Sequence, residues 1–254
     1  MEKDFYLNDR GLAAYFEKDW GDHACPKVFH FAPFNPAQLY SPYHEQSTKL
    51  LLGAMDSVGA RPATLLEIGA SLGRNFFEVC SVVDSLRAAT LVEPSKLLFE
   101  GQRRIFEGDP WQRFNTLVGL GDFAEVTLDT APIRATCSKV DVTALNIPFQ
   151  ELKLKDTFDL VVCSNVIDQC KNHFALVELL KERTAPGGLL LFSCTYQWQS
   201  KYIGNAVREI TNINDLFGGG WRCLAEDNIP FHVRANERHW LSFLAHAAVF
   251  QKDH

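Results

Sequence analysis

The 254-residue sequence has no run of lysine or arginine and carries a formal net charge of −6, which argues against a protein that grips phosphate backbones over a broad face. A small or anionic partner held by a few local arginines stays compatible with that balance. No stretch approaches the ~18 apolar residues of a membrane span. Met1 to Phe5 is not a basic segment leading into an apolar core, so no leader is expected and a soluble, cytoplasmic protein is. The seven cysteines (positions 25, 80, 137, 163, 170, 194 and 223) are odd in number, scattered and without a C-x-x-C pair. That pattern points away from a disulfide framework or a zinc centre and toward reduced, buried thiols. His23, Cys25 and His30 have metal-ligating chemistry, but nothing else in the chain supports it, and no metal is expected. Repeats, low-complexity tracts and a convincing linker are also missing, so residues 1–254 read as one domain.

What is present is a 46% hydrophobic composition, enough for a normal core. Residues 1–60 read as a helical cap: Leu12, Tyr15 and Phe16 share a helical face, and a second helix is expected from near Gln46 to Val58. Pro26, Pro33, Pro36 and Pro42 punctuate an aromatic-rich loop between the two helices. From residue 61 the texture becomes short apolar runs separated by helical stretches, the pattern of a parallel sheet with crossover helices. The runs are Thr64 to Ile68, Ala89 to Glu93, Ser138 to Val142, Phe158 to Cys163 and Gly188 to Phe192. Ile229 to Arg234 and Trp240 to Phe250 are expected to form a final antiparallel pair. The segment from Gly101 to Thr136 is open between an insertion over the pocket and a dimer contact. Open sheets of this kind bind ligands beyond the carboxyl ends of their strands, so the residues just after each run are where chemistry is expected.

The first such place is Glu67-Ile-Gly-Ala-Ser-Leu-Gly73, a glycine-rich turn between a strand and a helix that lets backbone approach a ligand closely. It lacks the G-x-G-x-x-G of dinucleotide binders. An acid ends the strand before it (Glu67), and a second, Glu93, ends the next strand 20 residues after Gly73. In these features the chain resembles the class I S-adenosylmethionine-dependent methyltransferases, with their Rossmann-like, mostly parallel seven-stranded sheet, helices on both faces and an antiparallel last strand. The resemblance covers roughly residues 60 to 250. It implies S-adenosylmethionine as cofactor and S-adenosylhomocysteine as product, held by Glu67, Gly69, Ala70, Gly73, Arg74, Asn75, Glu93, Pro94, Asp141, Val142 and Ser164. Glu93 would take the ribose hydroxyls, since a carboxylate accepts two hydrogen bonds from a vicinal diol. Asp141 would face the adenine amino group, and Arg74 could serve the cofactor's own carboxylate.

Five further segments narrow the resemblance: Tyr6 to Gly21, Glu67 to Glu78, Asn165-Val-Ile-Asp168, Ser193-Cys-Thr-Tyr-Gln-Trp198 and Ile229 to Arg238. Together they are similar to the mercaptohistidine ring-N-methyltransferases of ovothiol biosynthesis, either stand-alone or fused behind a sulfoxide synthase. The chain departs from that pattern at Cys194-Thr195 and His239-Trp240. The resemblance implies methylation of an imidazole nitrogen of 5-thiohistidine, with a separate sulfoxide synthase and a lyase supplying the substrate, and no nucleic-acid or membrane partner. Asn165 and Asp168 are the catalytic candidates, Asp168 because a carboxylate can orient or accept a ring N–H proton. An N-cap role for Asp168 is an equal alternative. Arg238, then Arg234, are candidates to clamp a substrate carboxylate, with a salt bridge as the alternative for each. Tyr6, Tyr15, Tyr196 and Trp198 are candidate walls for an imidazole and a sulfonium. A methyltransferase for another small N-, S- or O-nucleophile, and a non-catalytic cofactor-binding partner protein, stand as alternative functions.

Overall fold

The computed structural model describes residues 8–24, 43–118, 122–198, 210–236 and 239–254. Its centre is a seven-stranded sheet built from β1 (Thr64–Ile68), β2 (Ala88–Val92), β5 (Asp141–Leu145), β6 (Phe158–Ser164), β7 (Thr184–Cys194), β8 (Trp221–Asn236) and β9 (His239–Lys252). The spatial order is β5-β2-β1-β6-β7-β9-β8. The first five of these neighbours run parallel, while β9 lies antiparallel to both β7 and β8. The order reverses between β1 and β6, so the topological switch point lies beyond their carboxyl ends, where the glycine turn begins.

Period-two alternation divides the sheet's side chains between two layers. Leu65, Leu91, Leu160, Val162, Leu189 and Leu191 pack with Leu51 of α2 (Tyr43–Val58) and with Phe76 and Val79 of α3 (Arg74–Val82). Leu66, Ile68, Val161, Cys163, Leu190 and Phe192 face Leu176, Val177 and Leu180 of α6 (His173–Arg183). Local signals begin the crossover helices. Ser95 Oγ accepts from Leu98 N–H at 3.4 Å at the start of α4 (Lys96–Glu107), and Asn172 Oδ1 accepts from Ala175 N–H at 3.3 Å at the start of α6.

The segment after α4 forms a separate antiparallel hairpin, β3 (Trp111–Val118) with β4 (Asp122–Asp129), followed by the short helix α5 (Ala131–Cys137). The N-terminal helix α1 (Asp9–Ala24) lies between this hairpin and the glycine turn: Phe16 stacks on Phe114 with ring centroids 4.3 Å apart, and Trp20 packs with Leu72, Leu98 and Ile105. The hairpin braces α1, and strand β3 also packs against β8.

The third parallel strand is Asp141–Leu145, not a run ending at Val142. Asp141 pairs with Ala88 at the amino ends of the strands, and Leu145 pairs with Val92 at the carboxyl ends. Asp141 therefore sits about 13 Å and Val142 about 10 Å from the ligand-binding edge, four and three residues at about 3.3 Å each, and neither can face an adenine bound there. β5 is the edge strand and its first three residues are exposed. With little to bury, it left no apolar run to mark its register.

Candidate cofactor and substrate site

Three loops leave the carboxyl edge of the sheet after β1, β6 and β7. Each holds a non-glycine residue in the left-handed region: Ser71 (φ 50°), Asn165 (φ 55°) and Tyr196 (φ 57°). These are the only non-glycine positive φ angles among the described residues. Backbone strain gathered at one edge of a sheet marks a site where geometry has been held against local preference.

The turn after β1 is fixed by its glycines. Gly69 (φ 77°) and Gly73 (φ 81°) are left-handed, and a Cβ would lie 2.3 Å from Val166 Cγ2 at the first and 2.4 Å from Phe106 Cε2 at the second. Gly69→Ala is therefore expected to destabilise the fold by roughly 1–3 kcal/mol through the φ penalty and the displaced Val166. A urea titration checks this, and an unchanged midpoint would refute the tight packing between the turn and the loop after β6.

Around this turn stand three buried carboxylates. Glu93 Oε2 accepts from Ser71 N–H at 2.9 Å and Oε1 from Ser95 N–H at 2.8 Å, each oxygen keeping a further lone pair. Glu67 is 1% exposed; Oε1 accepts from Asn75 Nδ2 at 3.0 Å, and Oε2 has no hydrogen-bond partner among the described residues. Asp19 of α1 reaches into the same place, its Oδ2 accepting from Ser71 Oγ at 2.8 Å and Leu72 N–H at 3.3 Å. His44 links the groups, with Nδ1 2.7 Å from Asn75 Oδ1 and Nε2 3.2 Å from Asp19 Oδ1.

Burial raises the Glu67 carboxyl to about 8 and that of Glu93 to about 7, in each case partly offset by hydrogen bonds and with Asp19 adding repulsion. Burial pushes Asp19 the same way, but the Lys18 ammonium and His44 outweigh it and hold Asp19 well below the usual range. A carboxyl whose folded pKa is raised binds its proton more tightly in the native state, so its ionisation penalty is absent below about 4.5 and complete above its folded value. The ligand-free protein is thus expected to lose stability as pH rises from 5 toward 8, and Glu67→Gln to flatten that slope. Denaturant titrations at the two pH values check both, and a wild-type profile that is flat or rises with pH would count against the buried acid pair.

A cationic, diol-bearing cofactor suits this cluster: a cation beside the Glu67 oxygen that has no partner among the described residues offsets the cost of ionising it, and Glu93 retains lone pairs. Ala70 is buried within the turn, and Pro94 follows Glu93 ahead of α4. Arg74 turns away. Its guanidinium pairs bidentately with Asp22 of α1 (2.7 and 2.8 Å) and also donates to Asp19 O and Glu78 Oε1. Beyond β5, where the adenine acid was expected, Asn146 donates to the carbonyls of Glu93 and Pro94 at 2.8 and 3.2 Å.

The second half of the site lies after β6 and β7. Ser164 pairs with Ser193 across the two strands. Asn165 N–H donates to Ser193 Oγ and Asn165 Oδ1 accepts from it, both at 3.1 Å, while the buried Tyr43 hydroxyl lies 2.6 Å from the same Oγ. Asp168 is fully buried in a single 3₁₀ turn, and its Oδ2 accepts from Thr195 N–H (3.2 Å) and from Thr195 Oγ1. Burial raises its pKa against these bonds. It tethers the loop after β6 to the loop after β7, and α6 is capped by Asn172 instead. Tyr196 is half-buried with its hydroxyl 2.8 Å from His246 Nδ1 and accepting from Ile213 N–H at 3.0 Å; Trp198 packs on His173 at 5.1 Å. Tyr15 lies beneath the Lys18 ammonium, 4.9 Å from the ring centroid.

Arg234 is 4% exposed and its guanidinium forks onto Glu17 of α1, donating from Nε to Oε2 at 2.7 Å and from Nη2 to Oε1. Tyr6 and Arg238 lie outside the described residues, as do Cys25 and His30. Among the described residues, no three or more His, Cys, Asp or Glu side chains are placed so that they could hold one metal ion. Lys18, Asp19, Tyr43 and His44 were not anticipated from sequence. The available signal was the acids Glu17 and Asp19 interrupting the apolar face of α1 near Phe16 and Trp20.

The fold is that of a doubly wound α/β protein whose strand order and antiparallel penultimate strand are those of the Rossmann-like methyltransferases. A family model described as a methyltransferase domain matches residues 43–247, and the chain belongs to that family. Among solved structures it is similar to the N-methyltransferase NodS from Bradyrhizobium japonicum WM9 in complex with S-adenosyl-L-homocysteine, at 13% identity, over 97% of this chain and 100% of that one, with a TM-score of 0.51. It is also similar to a putative RNA methyltransferase from Pyrococcus horikoshii, at 11% identity, over 83% and 85% of the two chains, with a TM-score of 0.50. At these identities the likeness is one of fold. No curated protein matches the sequence. No helix among the described residues is long and apolar enough to cross a membrane.

Proposed function

We propose that this protein is an S-adenosylmethionine-dependent N-methyltransferase that methylates an imidazole ring nitrogen of 5-thiohistidine, giving ovothiol. The observation that carries the cofactor half is the buried Glu67 carboxyl, its Oε2 without a partner among the described residues, beside Glu93 at a left-handed glycine turn in a chain of the methyltransferase family. S-Adenosylmethionine is the cofactor and S-adenosylhomocysteine the product. When bound, the cofactor supplies an electrophilic methyl on a sulfonium. The protein's part is positional: Glu67 and Glu93 fix the cofactor, and the loops after β6 and β7 hold the acceptor. Asn165, set by Ser193, presents its amide at the mouth of the site, and Asp168, set by Thr195, holds the loop that carries it.

The substrate half rests on the ordered segments around Asn165, Asp168, Tyr196 and Trp198. A separate sulfoxide synthase and lyase would supply the thiol-histidine, in the cytoplasm. Since Arg234 is paired with Glu17, the clamp for the substrate carboxylate falls to Arg238 in this reading. Methylation of another small N-, S- or O-nucleophile is the second reading, favoured by that same commitment of Arg234. The test is mass spectrometry of purified protein with S-adenosylmethionine and equal 5-thiohistidine, histidine, ergothioneine and cysteine. A singly ring-methylated thiohistidine formed in step with S-adenosylhomocysteine supports the proposal; preferred methylation of any other acceptor overturns its substrate half.

A further inference from the structure

Resting on the cofactor reading above, we infer that Lys18 of α1 is the cofactor's carboxylate anchor, so that the N-terminal helix and not the residue after the glycine turn reads the amino-acid end of S-adenosylmethionine. Arg74, which the sequence pattern offers for this task, has its guanidinium engaged by Asp22, Glu78 and the Asp19 carbonyl. Lys18 is placed differently. Its ammonium lies 2.9 Å from Asp19 Oδ1, over the Tyr15 ring, and within electrostatic reach of both Glu67 and Glu93.

The cluster formed by Asp19, Glu67, Glu93 and Lys18 has three acids to one base, and Glu67 Oε2 is buried with no partner among the described residues. Burial disfavours ionisation of Glu67 and Glu93 in the ligand-free protein, so a ligand that brings cationic groups and a hydrogen-bond donor beside them favours their carboxylate forms. The amino-acid end of S-adenosylmethionine carries a sulfonium, an ammonium and a carboxylate. Its cations match the acids, the orphaned Glu67 oxygen above all. Its carboxylate needs a cation inside the same cluster, and Lys18 is one. Asp19 can release Lys18 without being orphaned, because Ser71 Oγ, Leu72 N–H and His44 Nε2 remain on it. A flexible ammonium stem suits this exchange, since it can swing from one carboxylate to another while α1 stays docked.

The test is calorimetric titration of the full-length protein, wild type and Lys18→Met, with S-adenosylmethionine, decarboxylated S-adenosylmethionine and methylthioadenosine. Wild type is expected to prefer the intact cofactor over its decarboxylated analogue by about 10- to 100-fold, the range of a charge-assisted contact. Lys18→Met is expected to lose that preference while binding methylthioadenosine as wild type does. Lys18→Arg should restore the preference in part, and Lys18→Gln, uncharged and of similar length, replaces the Met variant if that fails to fold. Equal binding of the first two ligands by wild type, or a preference that survives in the Met or Gln variant, overturns the inference while leaving the cofactor reading intact. Failure of wild type to bind any adenosyl ligand overturns that reading, and the inference with it.

Discussion

Glu93→Gln is expected to lower affinity for S-adenosylmethionine by about 100-fold or more, a loss on the scale of one to two charge-assisted hydrogen bonds. The two Glu93 oxygens each face a backbone N–H, from Ser71 and from Ser95. A glutamine has one oxygen and one NH₂, so whichever way it turns, a donor meets a donor. The misfit falls either on Ser71, already left-handed within the turn, or on Ser95 at the start of α4, and the turn or the helix start shifts with it. Glu93→Ala removes the acceptors altogether and is expected to be at least as damaging. Calorimetric titration measures either effect; an affinity within threefold of wild type for both variants would remove Glu93 from the cofactor site.

Arg234→Ala is expected to destabilise the fold by about 3–5 kcal/mol, the range for leaving one member of a buried ion pair alone. Glu17 would then hold an uncompensated charge, its carboxyl already pushed upward by burial against the pull of Arg234. Glu17 also accepts from Leu117 N–H at 2.6 Å, so this pair ties α1, the hairpin strand β3 and strand β8 into one unit. The expected readout is a fall in Tm of about 6–20 °C. Replacing both partners, Glu17→Leu with Arg234→Met, should recover much of the loss but not all, because Leu117 N–H would still lack its acceptor. If Arg234→Ala instead unfolds like wild type and raises only the KM for an amino-acid substrate, Arg234 is a substrate clamp and its pairing with Glu17 is incidental.

These two residues show different relations between sequence and structure. Glu93 could be named from the sequence because its information is local: a buried apolar strand ends, an acid follows, and the spacing from the glycine turn is fixed by one crossover helix. The same holds for Glu67, Gly69 and Gly73, and for the strands Thr64–Ile68 and Phe158–Ser164, all marked by continuous burial. Asp141 was misplaced because β5 is an exposed edge strand, where neither burial nor alternation fixes the register.

By itself the sequence determined the parallel core, the antiparallel final pair, the glycine turn with its two acids, and the order of the loops that face it, since each is encoded by periodicity or by backbone freedom within a few residues. Only the tertiary structure decided what the long-range charges do. Arg74 and Arg234 look in sequence like free anion clamps, yet each meets a carboxylate of α1. Lys18 and Asp19 belong to no motif of the site, yet the docking of α1 between the hairpin and the turn carries them into it. Pairing between residues more than 50 positions apart depends on how the elements pack, and no local pattern records it.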